Sequence, residues 1–403
     1  MNILFIDAYF YPEIIAFSHL EQDIIEGLVS RGHSVTVVCP TPSRGVTEET
    51  IKKYRSIKNE TLNGVKIVRF WAPREGRNPA VRALRYFWCN LRGRTLGKRC
   101  RDTELVFAVS TPPTQGLVAG GVAKKLGVPF VYSVQDLFPD SLLSSGLVGK
   151  KGMLYKRGEK VVKKTYPRCD KIILLSDSFR ESVISFGADE DRLTVIGNWI
   201  DAENVKPVSR EDNRLFEELG IDREKFVVVY AGNFGESQGA QVVLEAAHRL
   251  KERDDIVFVI FGGGAEFPQA ESYAAQNSLD NVIIRPLLPA ERVSEVYSLG
   301  DAALITCKKG VGKTGLPSKL WSIMACDTPV IAAFDRDSEL ADILKKSGAG
   351  DLVAPEDPVQ LAEAIEMRSR EGFDRVSARE YVIEHAEKKR CVEKYVDAIE
   401  NAR

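Results

Sequence analysis

Short apolar runs alternate with longer segments of helical period in the first half of the chain. The runs are rich in β-branched residues and predict the strands Asn2–Asp7, Ser34–Cys39, Val65–Trp71, Leu105–Val109, Pro129–Val134, Lys171–Leu175 and Leu193–Ile196. Helical periodicity between them predicts helices that include Ser18–Ser30, Gln115–Leu126 and Met153–Tyr166. Continuous apolar strands that alternate with helices predict a parallel sheet covered on both faces.

The same rhythm restarts after residue 222. Six apolar runs predict the strands Phe226–Tyr230, Ile256–Phe261, Asn281–Ile284, Ala302–Thr306, Pro329–Ala333 and Asp351–Val353. The helices predicted between them are Ala240–Glu252, Glu266–Asn277, Ala290–Leu299, Ser318–Ala325, Ser338–Lys346 and Val359–Glu371. The polar stretch Asn198–Asp222, which contains Pro207, is expected to be a linker with a short helix.

The length of 403 residues exceeds what one hydrophobic core usually fills. The predicted fold class is therefore α/β, with two Rossmann-like, doubly wound domains that face a cleft at the carboxyl ends of their strands. The first domain is expected to span residues 1–200 and the second residues 207–384. The charged tail has no proline or glycine, and we expect a C-terminal helix at about residues 385–403 that returns to the first domain.

The composition is that of an ordinary globular protein. Hydrophobic residues make up 44% and charged residues 28%, and the net charge of −1 gives no overall bias toward nucleic acid. The seven cysteines are odd in number and include no CxxC pair, so neither structural disulfides nor a zinc site are expected. The chain opens on a strand rather than a signal peptide and has no apolar run of the roughly 18 residues that span a bilayer. We expect a cytoplasmic protein, at most peripheral on the inner membrane face.

Glycine-rich segments follow two adjacent predicted strands of the second domain. They are Gly232–Gly239 and Gly262-Gly263-Gly264. Glycines let the backbone approach a ligand closely, and the free N–H groups at a helix start attract phosphate. Both segments therefore predict a nucleotide-like ligand, and a tight strand-to-helix turn is the alternative. The spacing G-x-G-x-x-G is absent, which disfavours an NAD-dependent oxidoreductase.

A lysine-rich loop follows the predicted strand Ala302–Thr306. Its Gly312-Lys313-Thr314 is not a P-loop, because Cys307 stands where the first glycine is required. Ser318 is a good helix N-cap, and Lys319 falls in the first turn, where a cation is unfavourable unless an anion lies nearby. A diphosphate explains this lysine; an exposed, solvated lysine is the alternative.

The first domain offers few candidate catalytic groups. Asp136 and Asp140 follow the strand Pro129–Val134 and are either cleft residues or simple turn residues. Of the four histidines only His19, in the first helix, is placed to face the cleft, and a packing or surface role is its alternative. Neither a metal-binding set nor a nucleophilic triad emerges.

A basic segment lies between Arg77 and Arg101. It contains eight basic and no acidic residues, interleaved with Leu84, Tyr86, Phe87, Trp88 and Leu91. Such a segment suits an anionic membrane surface or a lipid-diphosphate substrate, with Arg82, Arg85 and Arg92 as the predicted contacts. A solvated helix face is one alternative; nucleic acid is another, which the lack of base-stacking motifs disfavours.

Taken in order, these segments resemble the family 4 glycosyltransferases of the GT-B fold, in particular those that build bacterial O-antigen, capsule and colanic acid. The motifs that carry the resemblance are Asn2-Ile3-Leu4-Phe5-Ile6, Tyr11-Pro12-Glu13, Leu28–Val37, Asp136-Leu137-Phe138-Pro139-Asp140-Ser141, Gly197-Asn198-Trp199-Ile200-Asp201, Tyr230-Ala231-Gly232-Asn233, Pro317–Ala325 and Thr328-Pro329-Val330-Ile331. The resemblance covers nearly the whole chain.

The resemblance implies retaining sugar transfer, without metal or other cofactor, from a UDP- or GDP-sugar to a lipid-linked or glycan acceptor. UDP is the favoured nucleotide. The second domain would hold the donor, and the first domain would hold the acceptor. The expected catalytic residues are Asp136, Lys319 and Asn233. The expected donor-binding residues are Gly232, Gly235, Ser237, Gln238, Gly263, Gly264, Pro286, Leu287, Thr314, Gly315, Leu316, Ser318, Ser322 and Glu339. The expected acceptor or membrane contacts are His19, Arg82, Arg85 and Arg92.

The chain departs from the family pattern at four donor positions. Asn233 and Gln238 stand where many relatives carry an arginine and a lysine, and Thr314 and Ser322 stand where the family has paired glutamates. Two other hypotheses therefore stay open: a sugar-nucleotide epimerase of the same fold, and a catalytically weak nucleotide-sugar-binding protein.

Overall fold

The computed structural model describes residues 1–13, 17–75, 78–141, 152–373 and 378–402. The chain forms two compact units. Unit 1 comprises Met1–Asn198 and Lys389–Arg403, and unit 2 comprises Trp199–Lys388. No helix in the described ranges is both long and apolar enough to cross a membrane.

Unit 1 is built on an eight-stranded sheet. Its strands are β1 (Asn2–Ile6), β2 (Ser34–Pro40), β3 (Asn59–Leu62), β4 (Val65–Phe70), β5 (Leu105–Val109), β6 (Phe130–Val134), β7 (Lys171–Leu174) and β8 (Leu193–Val195). Its helices are α1 (Ser18–Ser30), α2 (Glu48–Ser56), α3 (Pro79–Gly97), α4 (Gln115–Leu126), α5 (Met153–Thr165) and α6 (Arg180–Ser185). The strand order is β3-β4-β2-β1-β5-β6-β7-β8, and only the pair of β3 and β4 is antiparallel.

The first strand of the β3–β4 hairpin has no counterpart among the predicted strands, whereas β4 was predicted as Val65–Trp71. The turn of the hairpin is Asn63-Gly64, and both residues have positive φ, 49° and 81°. Asn-Gly is the sequence signal that most favours a two-residue hairpin, because both residues tolerate that conformation. The signal was therefore present in the sequence, although β3 itself is too short and polar to show a strand pattern.

Unit 2 contains a six-stranded parallel sheet. Its strands are β9 (Phe226–Asn233), β10 (Ile256–Gly263), β11 (Val282–Pro286), β12 (Ala302–Thr306), β13 (Val330–Ala333) and β14 (Gly350–Val353). Its helices are α7 (Leu215–Leu219), α8 (Gln241–Arg249), α9 (Phe267–Gln276), α10 (Val293–Ser298), α11 (Lys319–Ala325), α12 (Glu339–Ser347), α13 (Pro358–Glu371) and α14 (Ala378–His385). The order β11-β10-β9-β12-β13-β14 places the reversal of strand order between β9 and β12, where such sheets bind ligands.

The stretch expected to be a linker is part of unit 2. Val205, Leu215 and Phe216 are buried in the core beneath the sheet of that unit. Polar composition concealed this packing, because a few apolar side chains at irregular spacing are enough to anchor a loop.

The helical tail is divided into two helices. α14 belongs to unit 2, whereas α15 (Lys388–Glu400) packs in unit 1. A methyl group added at Gly27 of α1 would lie against Val392, and the Tyr395 hydroxyl is 3.1 Å from the Ser133 hydroxyl. The second tail helix is thus anchored on α1 and on the sheet of unit 1.

Candidate active site

Three adjacent strands of unit 2 end together at the carboxyl edge of the sheet. Gly262 of β10 pairs with Gly232 of β9 on one side and with Pro286 of β11 on the other. The glycines predicted to form turns are therefore the last residues of the strands. The Leu287 N–H donates to the Gly262 carbonyl at 3.1 Å, and the Leu287 side chain is exposed at this edge.

The loop after β9 is arranged around the side chain of Asn233. Asn233 Nδ2 donates to Gln238 Oε1 at 3.2 Å, and a methyl group added at Gly235 would lie 2.6 Å from Asn233 Nδ2. Gly264 has φ +114°, and a methyl group there would overlap Asn233 Oδ1. Glycine is required at 264, where the Asn233 amide and the Phe234 carbonyl occupy the space that a side chain would need, and at 235 it leaves room for the hydrogen bond between Asn233 and Gln238.

The same loop is fastened to β12 across the reversal of strand order. The Thr306 hydroxyl donates to the Gln238 carbonyl at 2.7 Å, and the Lys308 N–H donates to the Ser237 carbonyl at 3.0 Å. Gly239 has φ +54°, and its Cα faces the Cys307–Lys308 peptide closely. Two backbone carbonyls are thereby satisfied, and the loop is held in one conformation.

Lys319 brings a positive charge to the end of β9. Its Nζ lies 4.1 Å from the centre of the Tyr230 ring, and a methyl group added at Gly232 would lie 2.5 Å from that nitrogen. Within the described residues Lys319 forms no salt bridge, and burial lowers the pKa of its ammonium group to about 8. A cation that is partly withdrawn from water and has no carboxylate partner is costly unless an anion binds. The position of Nζ over Tyr230 and Gly232 therefore suits an anionic ligand.

The lysine-rich loop after β12 is held by carboxylates. Both oxygens of Asp335 accept from the Gly310 N–H, at 3.0 and 2.9 Å, and Oδ2 also accepts from the Gly312 N–H at 2.9 Å. Glu356 accepts from the Lys309 N–H at 3.0 Å, and Lys313 forms an ion pair with Asp337. The backbone path of the loop is thus fixed before any ligand binds.

The remaining predicted donor residues differ in their placement. Ser318 makes no capping bond with its side chain, which corrects the expected N-cap, since its own backbone is already helical. Ser322 lies one turn after Lys319, and Gly315 and Leu316 lie on the loop that enters α11. The side chain of Thr314 is outside the described part of the structure. Glu339 lies in the first turn of α12, which follows β13, two strands away from β9.

Two residues of this site were not predicted from the sequence. Tyr230 forms the surface beneath Lys319 Nζ, and its hydroxyl donates to the Asn233 carbonyl at 3.1 Å. Asp335 orders the lysine-rich loop. Each is a polar group at the end of an otherwise apolar strand, and this pattern is the signal that could have identified both.

The predicted acceptor-side residues lie in unit 1. Asp136 follows β6 and is exposed, whereas Asp140 accepts from the Tyr155 hydroxyl at 2.7 Å and so holds α5. Asp140 is therefore a structural residue. His19 is exposed in the first turn of α1. Gln135 is buried, and its Nε2 donates to the Ser133 hydroxyl at 2.9 Å.

Arg85 does not face a membrane or an acceptor, contrary to the sequence-based expectation. It is buried, Nη1 donates to the Pro73 carbonyl at 2.7 Å, and Nη2 lies 3.9 Å from Glu13 Oε1. Residues 85, 89 and 93 share the face of α3 that packs on the sheet, so helical spacing turns Arg85 inward. Arg82 is exposed and Arg92 is half-buried.

A carboxyl pair at the end of β1 was also missed. Asp7 and Glu21 are both buried and share a hydrogen bond between their side chains. Burial raises the pKa of Asp7 to about 6 and raises that of Glu21 well above its ordinary value. Two carboxylates cannot share a hydrogen bond without a proton, so the folded pair retains one when free carboxyl groups have lost theirs.

This pair predicts a pH-dependent stability. Because the folded pKa values are raised, the folded state binds more protons, and the pair's contribution is lost as pH rises from about 4 through 6 and above. Glu21→Gln supplies a permanent donor to Asp7 and is expected to stabilise the protein by about 2 kcal/mol at pH 8. At pH 5 the difference should nearly vanish.

Thermal unfolding from pH 5 to 8 measures this effect. Glu26→Gln on the exposed face of the same helix is the matched control and should leave the slope unchanged. Equal slopes for wild type and Glu21→Gln would show that the pair carries no proton above pH 5.

No group of three or more potential metal-ligating side chains is present among the described residues.

Two family models match the chain: Glycosyltransferase Family 4 over residues 22–204, and Glycosyl transferases group 1 over residues 211–389. The chain belongs to the family 4 glycosyltransferases. The resemblance drawn from the sequence motifs is thereby confirmed.

Two curated relatives illustrate the family. This glycosyltransferase is 27% identical to WbjE of Pseudomonas aeruginosa, an assigned glycosyltransferase, over 67% of each chain. It is 24% identical to WcaI of Escherichia coli K12, a glycosyl transferase assigned to colanic acid biosynthesis, over 99% of this chain and 100% of that one.

Solved structures share the fold of this glycosyltransferase. HepE of Anabaena, in its complex with UDP, has a TM-score of 0.75 at 14% identity, over 99% of this chain and 100% of that chain. WaaG, a glycosyltransferase involved in lipopolysaccharide biosynthesis, has a TM-score of 0.69 at 16% identity over all of both chains. The predicted α/β fold of the GT-B class is confirmed.

Proposed function

We propose that this enzyme moves a sugar from a nucleoside-diphosphate sugar to a lipid-linked or glycan acceptor in surface polysaccharide biosynthesis. UDP is the favoured nucleotide, and the anomeric configuration is retained. The observation that carries the proposal is Lys319, a half-buried ammonium group that has no carboxylate partner among the described residues and lies at the reversal of strand order. The complexes of HepE with UDP and with UDP-glucose, and the assignment of WcaI, support it.

In this proposal the diphosphate lies at the ends of β9 and β10. Gly232 and Gly263 let the ligand approach the backbone, and Asn233 Nδ2 supplies a hydrogen-bond donor where many relatives have a charged side chain. Leu287 and Pro286, at the end of β11, border the base. Ser318, whose hydroxyl makes no capping bond, is placed to donate to a phosphate oxygen.

The chemistry assigned to these residues is stabilisation of the leaving group. As the bond between the sugar and the diphosphate breaks, negative charge grows on the leaving oxygen, and Lys319 stabilises it. The same oxygen can accept the proton of the attacking hydroxyl, so no covalent intermediate with the protein is needed. The proposal requires no metal, and Asp136 is assigned to the acceptor side.

Nucleotide release tests the proposal. Incubation with UDP- or GDP-sugars is expected to release nucleoside diphosphate only when a glycan or lipid-linked acceptor is present, with UDP-sugars preferred. Asn233→Ala should weaken UDP binding by about tenfold, the effect of one hydrogen bond to a charged group. UDP should also raise the melting temperature more than UMP, which lacks the second phosphate.

The alternatives give different results in the same assay. A sugar-nucleotide epimerase would release nucleotide or invert the sugar without acceptor. A binding protein would show the UDP-induced stabilisation with no release under any condition. Either result would contradict the transferase assignment.

A further inference from the structure

The helix α3 exposes a row of large apolar side chains. Leu84, Phe87 and Leu91 retain 57%, 66% and 48% of their accessible surface. They recur at i, i+3 and i+7, so they form one ridge on the side opposite the buried residues 85, 89 and 93. The opposite face of α3 already packs on the sheet, so a continuous exposed apolar ridge on this helix indicates a binding surface for an external partner.

Two tryptophans lie beside this ridge. Trp71 follows β4 and is 52% exposed, and its ring lies 6.1 Å from that of Trp88 in an edge-on contact. Trp88 Nε1 donates to the Trp71 carbonyl at 2.7 Å. Tryptophans with an apolar exposed face and a satisfied N–H are typical of surfaces at a membrane interface.

The charge around the ridge has one sign. Residues 79–101 contain seven basic and no acidic residues, and all but Arg85 are exposed or half-buried. Arg92 and Arg94 lie one and three residues after Leu91, which places them on the two sides of the ridge. Helical surfaces that face water usually mix both signs, whereas an apolar ridge flanked only by cations complements a surface of anionic headgroups.

A second apolar cluster lies on the same side of unit 1. Met153 and Leu154, in the first turn of α5, are 70% and 54% exposed, and Lys156 and Arg157 next to them are also exposed. α4 packs between α3 and α5, so the three helices cover one face of the sheet. Each helix runs back from the carboxyl edge of the strands, which places the start of α3 and the start of α5 at that edge.

We propose that the α3 ridge, with the start of α5, docks on the surface of a bilayer that contains anionic lipid. The apolar side chains would enter the headgroup region while the flanking cations contact the headgroups. The inference rests on the proposed function in one respect: a lipid-linked acceptor is presented at such a surface. The docking itself requires neither donor nor acceptor.

Vesicle sedimentation with the full chain tests this inference. We expect binding to vesicles of phosphatidylethanolamine with 30% phosphatidylglycerol, about tenfold weaker binding to pure phosphatidylcholine, and weakening by salt. Leu84→Ser/Phe87→Ser is expected to weaken binding by about 10- to 100-fold. The matched control is Met367→Ser/Ile383→Ser, which removes two exposed apolar side chains from α13 and α14 and should bind as wild type.

A second pair of variants isolates the charge. Arg92→Gln/Arg94→Gln should weaken binding about tenfold, whereas Lys345→Gln/Lys346→Gln, two exposed lysines on α12, should not. Equal losses in a variant and its control would overturn the proposal. The proposal would also be overturned if the wild type did not bind vesicles. If Leu84→Ser/Phe87→Ser then abolished self-association of the protein, the ridge would be a protein interface.

The UDP-induced rise in melting temperature separates this inference from the proposed function. All four variants should keep it, because none lies in unit 2's donor site. Vesicle binding without a UDP effect would leave the docking intact and reject the donor assignment. A UDP-induced rise in melting temperature without vesicle binding would support the donor assignment and reject the docking.

Discussion

Lys319→Ala is expected to lower kcat/KM for sugar transfer by about 10²- to 10³-fold, the range observed when one charge-stabilising group is removed from an active site. The half-buried ammonium group lies over Tyr230 without a carboxylate partner among the described residues, so its removal deletes charge stabilisation and not a structural ion pair. Lys319→Met keeps the aliphatic packing and should show a comparable loss. Steady-state kinetics with a UDP-sugar measures both.

Lys313→Ala is the control for this prediction. It removes a lysine from the loop that precedes α11, but one that is exposed and paired with Asp337. Its kcat/KM should stay close to that of the wild type. The melting temperature of Lys319→Met should not fall, because the variant removes a partly desolvated charge. Wild-type turnover in both Lys319 variants would reject the site.

The lowered pKa of Lys319 adds a pH dependence to the same prediction. With a pKa of about 8 in the free enzyme, the amine is charged at pH 7 and largely neutral at pH 9. A bound diphosphate favours the charged form of the lysine, so UDP binding above pH 8 requires uptake of a proton. The Kd for UDP should therefore rise with pH above 8, with a limiting slope of about tenfold per pH unit. Titration calorimetry should show this rise in the wild type and none in Lys319→Met.

Gly232→Ala is expected to reduce transfer by about 10²-fold through the position of Lys319. The added methyl group would lie 2.5 Å from Lys319 Nζ and 3.1 Å from Cε, at a backbone φ of +156° that alanine rarely adopts. The ammonium group must therefore move away from the end of β9. The kinetic constants and the Kd for UDP measure the effect.

A double mutant gives this prediction its control. If the methyl group acts by displacing Lys319, then Gly232→Ala/Lys319→Met should be no worse than Lys319→Met alone. Gly121→Ala in α4 serves as a general glycine control, because its methyl group would meet nothing closer than 3.9 Å. Losses that add in the double mutant would show that Gly232 acts independently of the lysine.

The sequence by itself determined the order of the parallel strands in both halves and the family to which the chain belongs. Runs such as 105–109 and 302–306 are apolar on both faces, and such a run is stable only inside a covered parallel sheet. The glycines around 232 and 263 also indicated a ligand, because the need for glycine at these positions arises from local backbone geometry. These features depend on short-range spacing, which a sequence displays directly.

Only the tertiary structure decided which side chains meet. Lys319 reaches Tyr230 and Gly232, which lie 89 and 87 residues earlier in the chain. Asp335 orders a loop from another strand, and Asp7 pairs with Glu21 between a strand and a helix. Arg85 looked equivalent to Arg82 in the sequence, yet the phase of α3 against the sheet buries it. Periodicity gives the length and type of an element but not its rotation against its neighbours, and the partner of each charged group follows from that rotation.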